Sequence, residues 1–233
     1  MQPYLFPYIG YFSLIKNTDH FVFFDTPQYI RKGWINRNRI LGTKGKDIYF
    51  TVPVEKCPRE TPIKDVKISY NEDWQEKWMG QLTIYKKRAP YYATIMQLVR
   101  DVLNCDTQYI SEMAINSVIK TCQYLGIELN YDVYSKMNLP LFEVEAPDEW
   151  ALGITREMKY DTYVNPPGGK TFFDANKYKK ANIELEFLTQ EIQKYNQRIR
   201  EFVPGLSILD VMMFCTPEEI RSMMDSYKIE KSE

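Results

Sequence analysis

Two periodicities divide the chain. In the first part, short apolar runs sit between polar clusters: Phe21-Val22-Phe23-Phe24 reads as a buried strand, and residues 48–54 and 63–68 alternate as strands do, with a Pro/Cys/Arg loop between them. From Trp74 the spacing changes to three and four. Trp74, Trp78, Leu82 and Tyr85 predict one helix, and Leu98, Val99, Val102 and Leu103 continue the pattern beyond the Ala89-Pro90 break. Ile110, Met113, Ala114, Val118, Cys122 and Leu125 predict a third helix over about 107–125, stopped by Gly126. Together these make a helical segment at about 73–126. Behind it lie a helix near 148–160, the strand Thr162-Tyr163-Val164, a Pro/Gly loop at 165–170 and the alternating strand Ile183-Glu184-Leu185-Glu186-Phe187. Strands separated by helices predict an α/β fold in one domain, 1–233: a mostly parallel, Rossmann-like sheet with helices on both faces.

The opening segment, Met1-Gln2-Pro3-Tyr4-Leu5-Phe6-Pro7-Tyr8-Ile9-Gly10-Tyr11-Phe12, fits neither periodicity. Its two prolines remove amide donors and fix φ, and Gly10 admits a close neighbour, so it reads as a rigid elbow opening a short helix. Elbows and strand ends of this kind are where α/β proteins hold ligands.

Composition narrows the chemistry. With 233 residues the chain buries a full core, and its 15% aromatic content, including 18 tyrosines, leaves some tyrosines to line a groove. A net charge of −1 argues against general nucleic-acid binding. Cys57, Cys105, Cys122 and Cys215 are too scattered for a zinc or redox motif; they read as reduced thiols, and no metal is predicted. No apolar run approaches the roughly 18 residues of a membrane span and the start lacks a signal-peptide pattern, so a cytoplasmic location is expected. His20 is the one histidine, which removes paired-histidine chemistry.

Three constellations carry candidate chemistry. Arg31, Lys32, Arg37, Arg39, Lys44 and Lys46, interleaved with Trp34, Asn36 and Asn38, form either a solvated loop or a set of forked donors, amides and an aromatic face for phosphate and sugar. Val164-Asn165-Pro166-Pro167-Gly168-Gly169-Lys170-Thr171 ends like a P-loop but lacks its first glycine. It reads as a plain turn or as an anion-binding turn with one ammonium. Ser207 starts a late helix, with Asp210 three residues on, as a cap or as an anion site beside a carboxylate.

In combination, the Gln2-Pro3 elbow, Asp25 with Gln28-Tyr29, Trp34-x-Asn36-Arg37-Asn38, Thr51-Val52-Pro53-Val54, Pro167-Gly168-Gly169-Lys170 and Leu206-Ser207-Ile208-Leu209-Asp210 closely resemble the WbqC-like family over nearly the whole chain. The resemblance implies a cytoplasmic bacterial protein of O-antigen, lipopolysaccharide or other surface-glycan assembly that modifies a sugar precursor. It also implies a first strand ahead of Gln2, and where relatives often carry His, this chain has Met1. The order of elements is similar to that of the nucleotidylyltransferase superfamily, without its paired histidines.

The function expected is a transferase that places an acyl or aminoacyl group on a nucleotide-linked amino-sugar, with an acyl or aminoacyl donor as the implied co-substrate. Asp25 or Asp210 would deprotonate the sugar amine, the helix dipole keeping Asp210 ionised. Arg37, Asn38, Gly168, Gly169 and Lys170 would hold the diphosphate, Gln2, Gln28 and Tyr29 the sugar. Tyr11 would face the cleft and Ser207 an anion. The alternatives are a nucleotidyl-transfer or ATP-dependent ligase activity and a non-catalytic carbohydrate-binding protein of the same pathway.

Overall fold

The computed structural model describes residues 1–43, 45–140 and 142–232. Prolines hold the first residues extended, and the apolar run that follows becomes α1 (Ile9–Lys16), buried from Ile9 to Ile15. Strand β1 (Phe21–Phe23) ends where Asp25 and Thr26 turn polar and Pro27 lacks an amide. The basic stretch is half strand: β2 (Arg37–Leu41) and β3 (Asp47–Thr51) form an antiparallel hairpin with Arg39 opposite Tyr49, turning through Gly42 and Gly45 (φ +69°). Lys44 of that stretch lies outside the described residues. Segment 63–68, expected as a strand, is instead a 3-10 turn at Ile63–Asp65 followed by single bridges from Lys67 to Tyr109 and Ile68 to Val54. Pro62 enters that turn and the Val66 amide closes it on the Ile63 carbonyl.

The helical segment matches its spacing. Helices α2 (Trp74–Leu82), α3 (Tyr92–Leu103) and α4 (Ile110–Leu125) bury the expected apolar positions, and α4 stops at Gly126 with φ +63°. Then β4 (Tyr131–Val133) pairs in parallel with β1. The last part runs α5 (Glu149–Glu157), β5 (Thr162–Asn165), α6 (Ala175–Lys180), β6 (Glu184–Gln190), α7 (Ile208–Phe214), α8 (Pro217–Met224) and β7 (Tyr227–Lys231). Its sheet has the order β5-β6-β7, with β5 parallel and β7 antiparallel to β6.

The protein is a mixed α/β structure with small sheets. The mostly parallel Rossmann-like sheet is not formed among the described residues, where the strands divide into two pairs and one triplet. The reasons are local. A short turn joins β2 to β3 and permits only antiparallel pairing, while β1 and β4 are three residues each.

One large apolar cluster joins the elbow, α1, the hairpin's inner face, α2–α4, α7 and α8; a smaller one packs Tyr178, Ile183, Leu185 and Phe187 around β6. Helix α1 packs on α8 and β6, so the elbow lies where the two parts of the chain meet. No helix among the described residues is long and apolar enough to cross a membrane.

Candidate functional site

The elbow turns on Phe6, whose backbone has φ 41° and whose side chain is wholly buried, its ring centroid 5.9 Å from that of Trp78. An aromatic residue in that conformation is strained by about 1–3 kcal/mol and persists only where its surroundings hold it. Three buried polar side chains do so. The Phe6 amide donates to Ser117 Oγ on α4 (2.9 Å), and its carbonyl accepts from Asn38 Nδ2 on β2 (2.9 Å) and from Ser207 Oγ ahead of α7 (2.7 Å). Asn38 Nδ2 also donates to the Leu5 carbonyl (3.2 Å), and its Oδ1 accepts from the Arg39 amide (2.8 Å). Further backbone bonds close the ring: Ile208 N to the Pro7 carbonyl, Ser207 N to the Arg39 carbonyl and Leu5 N to the Trp34 carbonyl.

The elbow so fixed forms one wall of a cleft of about 570 Å³. Tyr4, Tyr8 and Tyr11 come from the elbow, Trp34, Asn38 and Arg39 from the hairpin, and Asn165, Pro166, Gly168 and Gly169 from the loop after β5; Met1, Leu14 and Gly205 also contribute. Tyr8 lies so close over Gly10 that a Cβ there would stand 2.4 Å from the phenol oxygen, so a larger residue at that position would push the Tyr8 ring aside. Burial raises the pKa of all three tyrosines, so each keeps its proton at neutral pH. The Tyr11 hydroxyl donates to the Gln2 carbonyl (2.9 Å), whereas those of Tyr4 and Tyr8, which also line the cleft, have no protein partner among the described residues. Arg39 reaches Asp47 (3.2 Å) and the Gly205 carbonyl (3.1 Å), with its Nε unpartnered. The lining thus offers aromatic faces, two phenol hydroxyls and one guanidinium, and among the described residues contains no Asp or Glu.

The model of the WbqC-like protein family matches residues 2–222. The chain belongs to that family. It is also 24% identical over 218 residues to the uncharacterized protein Rv1507c of Mycobacterium tuberculosis (strain ATCC 25618 / H37Rv), covering 91% of this chain and 90% of that protein. No solved structure matches.

Of the residues singled out from the sequence, this WbqC-like chain brings Tyr11, Asn38, Gly168 and Gly169 together in the cleft lining. Gln2 and Ser207 stand directly behind it, bonded to Tyr11 and Phe6. The others lie elsewhere. Asp25 is buried, accepting from the Ser135 amide (3.0 Å) and hydroxyl (2.6 Å), and ties β1 to the turn after β4. Tyr29 is buried with its hydroxyl on Asn36 Oδ1 (2.8 Å), and the neighbouring Gln28 is exposed and bridges Pro62. Arg37 donates to the carbonyls of Gly33 and Lys32, and Lys170 pairs with Glu230 on β7. The Gly169 and Lys170 amides are used within their own turn, on the Pro166 and Pro167 carbonyls.

Asp210 does not complete the cap that its spacing from Ser207 suggests. Its side chain is fully buried and does not reach back to cap the helix; Tyr85 and Tyr195 each donate to it at 2.5 Å and Gln197 at 2.8 Å. Burial raises its pKa, opposed in part by those three donors. Ser207 does accept from the Leu209 amide, as a cap should.

Trp34 and Arg39 enter the lining from the basic stretch read as a phosphate and sugar surface, whereas Tyr4, Tyr8 and Asn165 were given no individual role from the sequence. A signal existed for two: Tyr4 and Tyr8 recur at i, i+4 within the elbow itself, on either side of the strained Phe6.

Proposed function

We propose that the cleft binds a nucleotide-linked amino-sugar of bacterial surface-glycan assembly and holds it for acyl or aminoacyl transfer. One observation carries the reading: three sequence segments, the elbow, the hairpin and the loop after β5, converge on one cleft whose lining is aromatic and, among the described residues, carries one guanidinium. Aromatic faces cover the apolar faces of a sugar, phenol hydroxyls bond its hydroxyls, and a guanidinium supports a phosphate. Asp25 and Asp210, proposed first as bases, serve here as positioning residues. Acylation of an amine releases a proton, and with no carboxylate in the lining among the described residues that proton passes to the donor's leaving group or to water.

The missing carboxylate also favours a second reading, a carbohydrate-binding protein without turnover. Nucleotidyl transfer has less support, since His20 lies outside the cleft lining, with its ring 3.0 Å from Asp132. The test is to titrate nucleotide amino-sugars by calorimetry, then incubate them with acyl-thioester and aminoacyl donors under mass spectrometry. Binding with a mass gain on the sugar supports transfer, and binding without it supports the second reading. Absence of binding at millimolar ligand would sink both.

A further inference from the structure

The hairpin's outer face continues the cleft onto a second surface. Strand alternation sends Asn38 and Ile40 inward and leaves Arg37, Arg39 and, across the ladder, Tyr49 on the outside. Trp34 stacks on Tyr49 with centroids 6.3 Å apart and planes 25° from parallel; the Arg37 guanidinium lies 4.4 Å over Tyr49, and that of Arg39 5.8 Å from Trp34. The four side chains form a ladder of cation, ring, ring and cation. Both rings remain partly open, Trp34 exposed by 39% and Tyr49 by 44%, so an aromatic surface is held oriented with Arg37 against one face of Tyr49 and solvent on what is left free. It is braced as well: Arg37 bonds the carbonyls of Lys32 and Gly33, holding the turn that carries Trp34. Trp34 and Arg39 belong to the cleft lining and Tyr49 does not, so the ladder leads outward from the site.

We infer that this ladder is the nucleobase subsite: the base of a nucleoside diphosphate stacks on Trp34 and Tyr49, and its phosphates lie toward Arg39 at the cleft mouth. The inference rests on the nucleotide-linked sugar reading above and adds which surface takes the base. Stacking on aromatic faces tolerates every base, so the subsite selects nucleotides as a class, while Arg39 supplies the one cationic side chain in the cleft lining among the described residues.

The experiment uses the full chain and three probes, uridine diphosphate, guanosine diphosphate and glucosamine 1-phosphate, titrated calorimetrically. Both nucleoside diphosphates are expected to bind. Tyr49→Ala and Trp34→Ala should each weaken them by about tenfold or more, Trp34→Phe should retain most of the affinity, and Tyr49→Ala should leave glucosamine 1-phosphate within about twofold. Both positions are exposed, so circular dichroism and urea midpoints should stay near wild type and a folding defect would be visible. Unchanged nucleotide affinity in both alanine variants would overturn the subsite. Binding of glucosamine 1-phosphate with no nucleoside diphosphate binding would overturn it too, while leaving the sugar cleft standing; binding of none of the probes would remove both.

Discussion

Asn38→Ala tests whether the elbow is held by its polar clamp. Asn38 serves three backbone groups: it donates to the Leu5 carbonyl (3.2 Å) and the Phe6 carbonyl (2.9 Å) and accepts from the Arg39 amide (2.8 Å). After truncation the Phe6 carbonyl keeps Ser207 Oγ, but the Leu5 carbonyl and the Arg39 amide have no other partner among the described residues. Orphaning a buried polar group costs about 1–3 kcal/mol. Asn38 borders the cleft, so water reaches part of the gap, and the expected loss is about 2–4 kcal/mol. In a chain of this size that lowers Tm by roughly 4–16 °C. Asn38→Asp should be at least as damaging, since it turns the donor into an acceptor facing two carbonyls. Urea unfolding followed by tryptophan fluorescence reads the stability. A second effect separates the clamp from ordinary packing: Phe6 relaxes from φ 41°, Tyr4 and Tyr8 shift with it, and ligand affinity falls even under conditions where the variant is fully folded. A stability change below about 0.5 kcal/mol with binding intact would refute the clamp.

Gly168→Ala and Gly169→Ala should separate. A Cβ at Gly168 meets nothing within 4 Å and enters the cleft, so Tm should hold while ligand affinity drops; at Gly169 it would stand 2.3 Å from Asn165 Nδ2 and 2.8 Å from the Phe173 ring, so Tm should fall, and the opposite pattern would contradict this geometry. Asp210, whose folded pKa is raised by burial, binds more protons folded than unfolded between its unfolded and folded values, so in that window it lowers stability as pH rises. Asp210→Asn should therefore remove part of the decline in stability on going from about pH 4 to neutrality; parallel pH–stability curves for the two proteins would show that the carboxyl titrates normally.

Much of the helical part was legible because its cause is local. Trp74, Trp78 and Leu82, or Met113, Val118 and Leu125, are buried at helical spacing, and Gly126 takes the left-handed conformation that ends α4. The sheets were less legible because pairing depends on residues distant in sequence. Strand β1 pairs with β4 more than a hundred residues on, which no alternation in either segment announces. Strand β2 was hidden differently: its inward positions begin with Asn38, a polar residue, so Arg37-Asn38-Arg39 reads as a charged loop unless something polar is known to need Asn38 inside.

That need also explains which site residues the sequence could reveal. The motif positions are unusual in composition, and unusual composition marks constraint without saying whether the constraint is a ligand or the backbone. Asn38 and Ser207 are polar side chains set to work on the elbow's own carbonyls, whereas Tyr4 and Tyr8, which look like ordinary members of an aromatic run, carry hydroxyls with no protein partner among the described residues. A buried polar residue satisfied on every side is a poor candidate for touching substrate, and Asp25 with two donors and Asp210 with three are of that kind. The distinction is one of partners: the elbow's strain is met by residues whose bonds are complete, and the cleft it shapes is lined by tyrosine hydroxyls whose bonds are not.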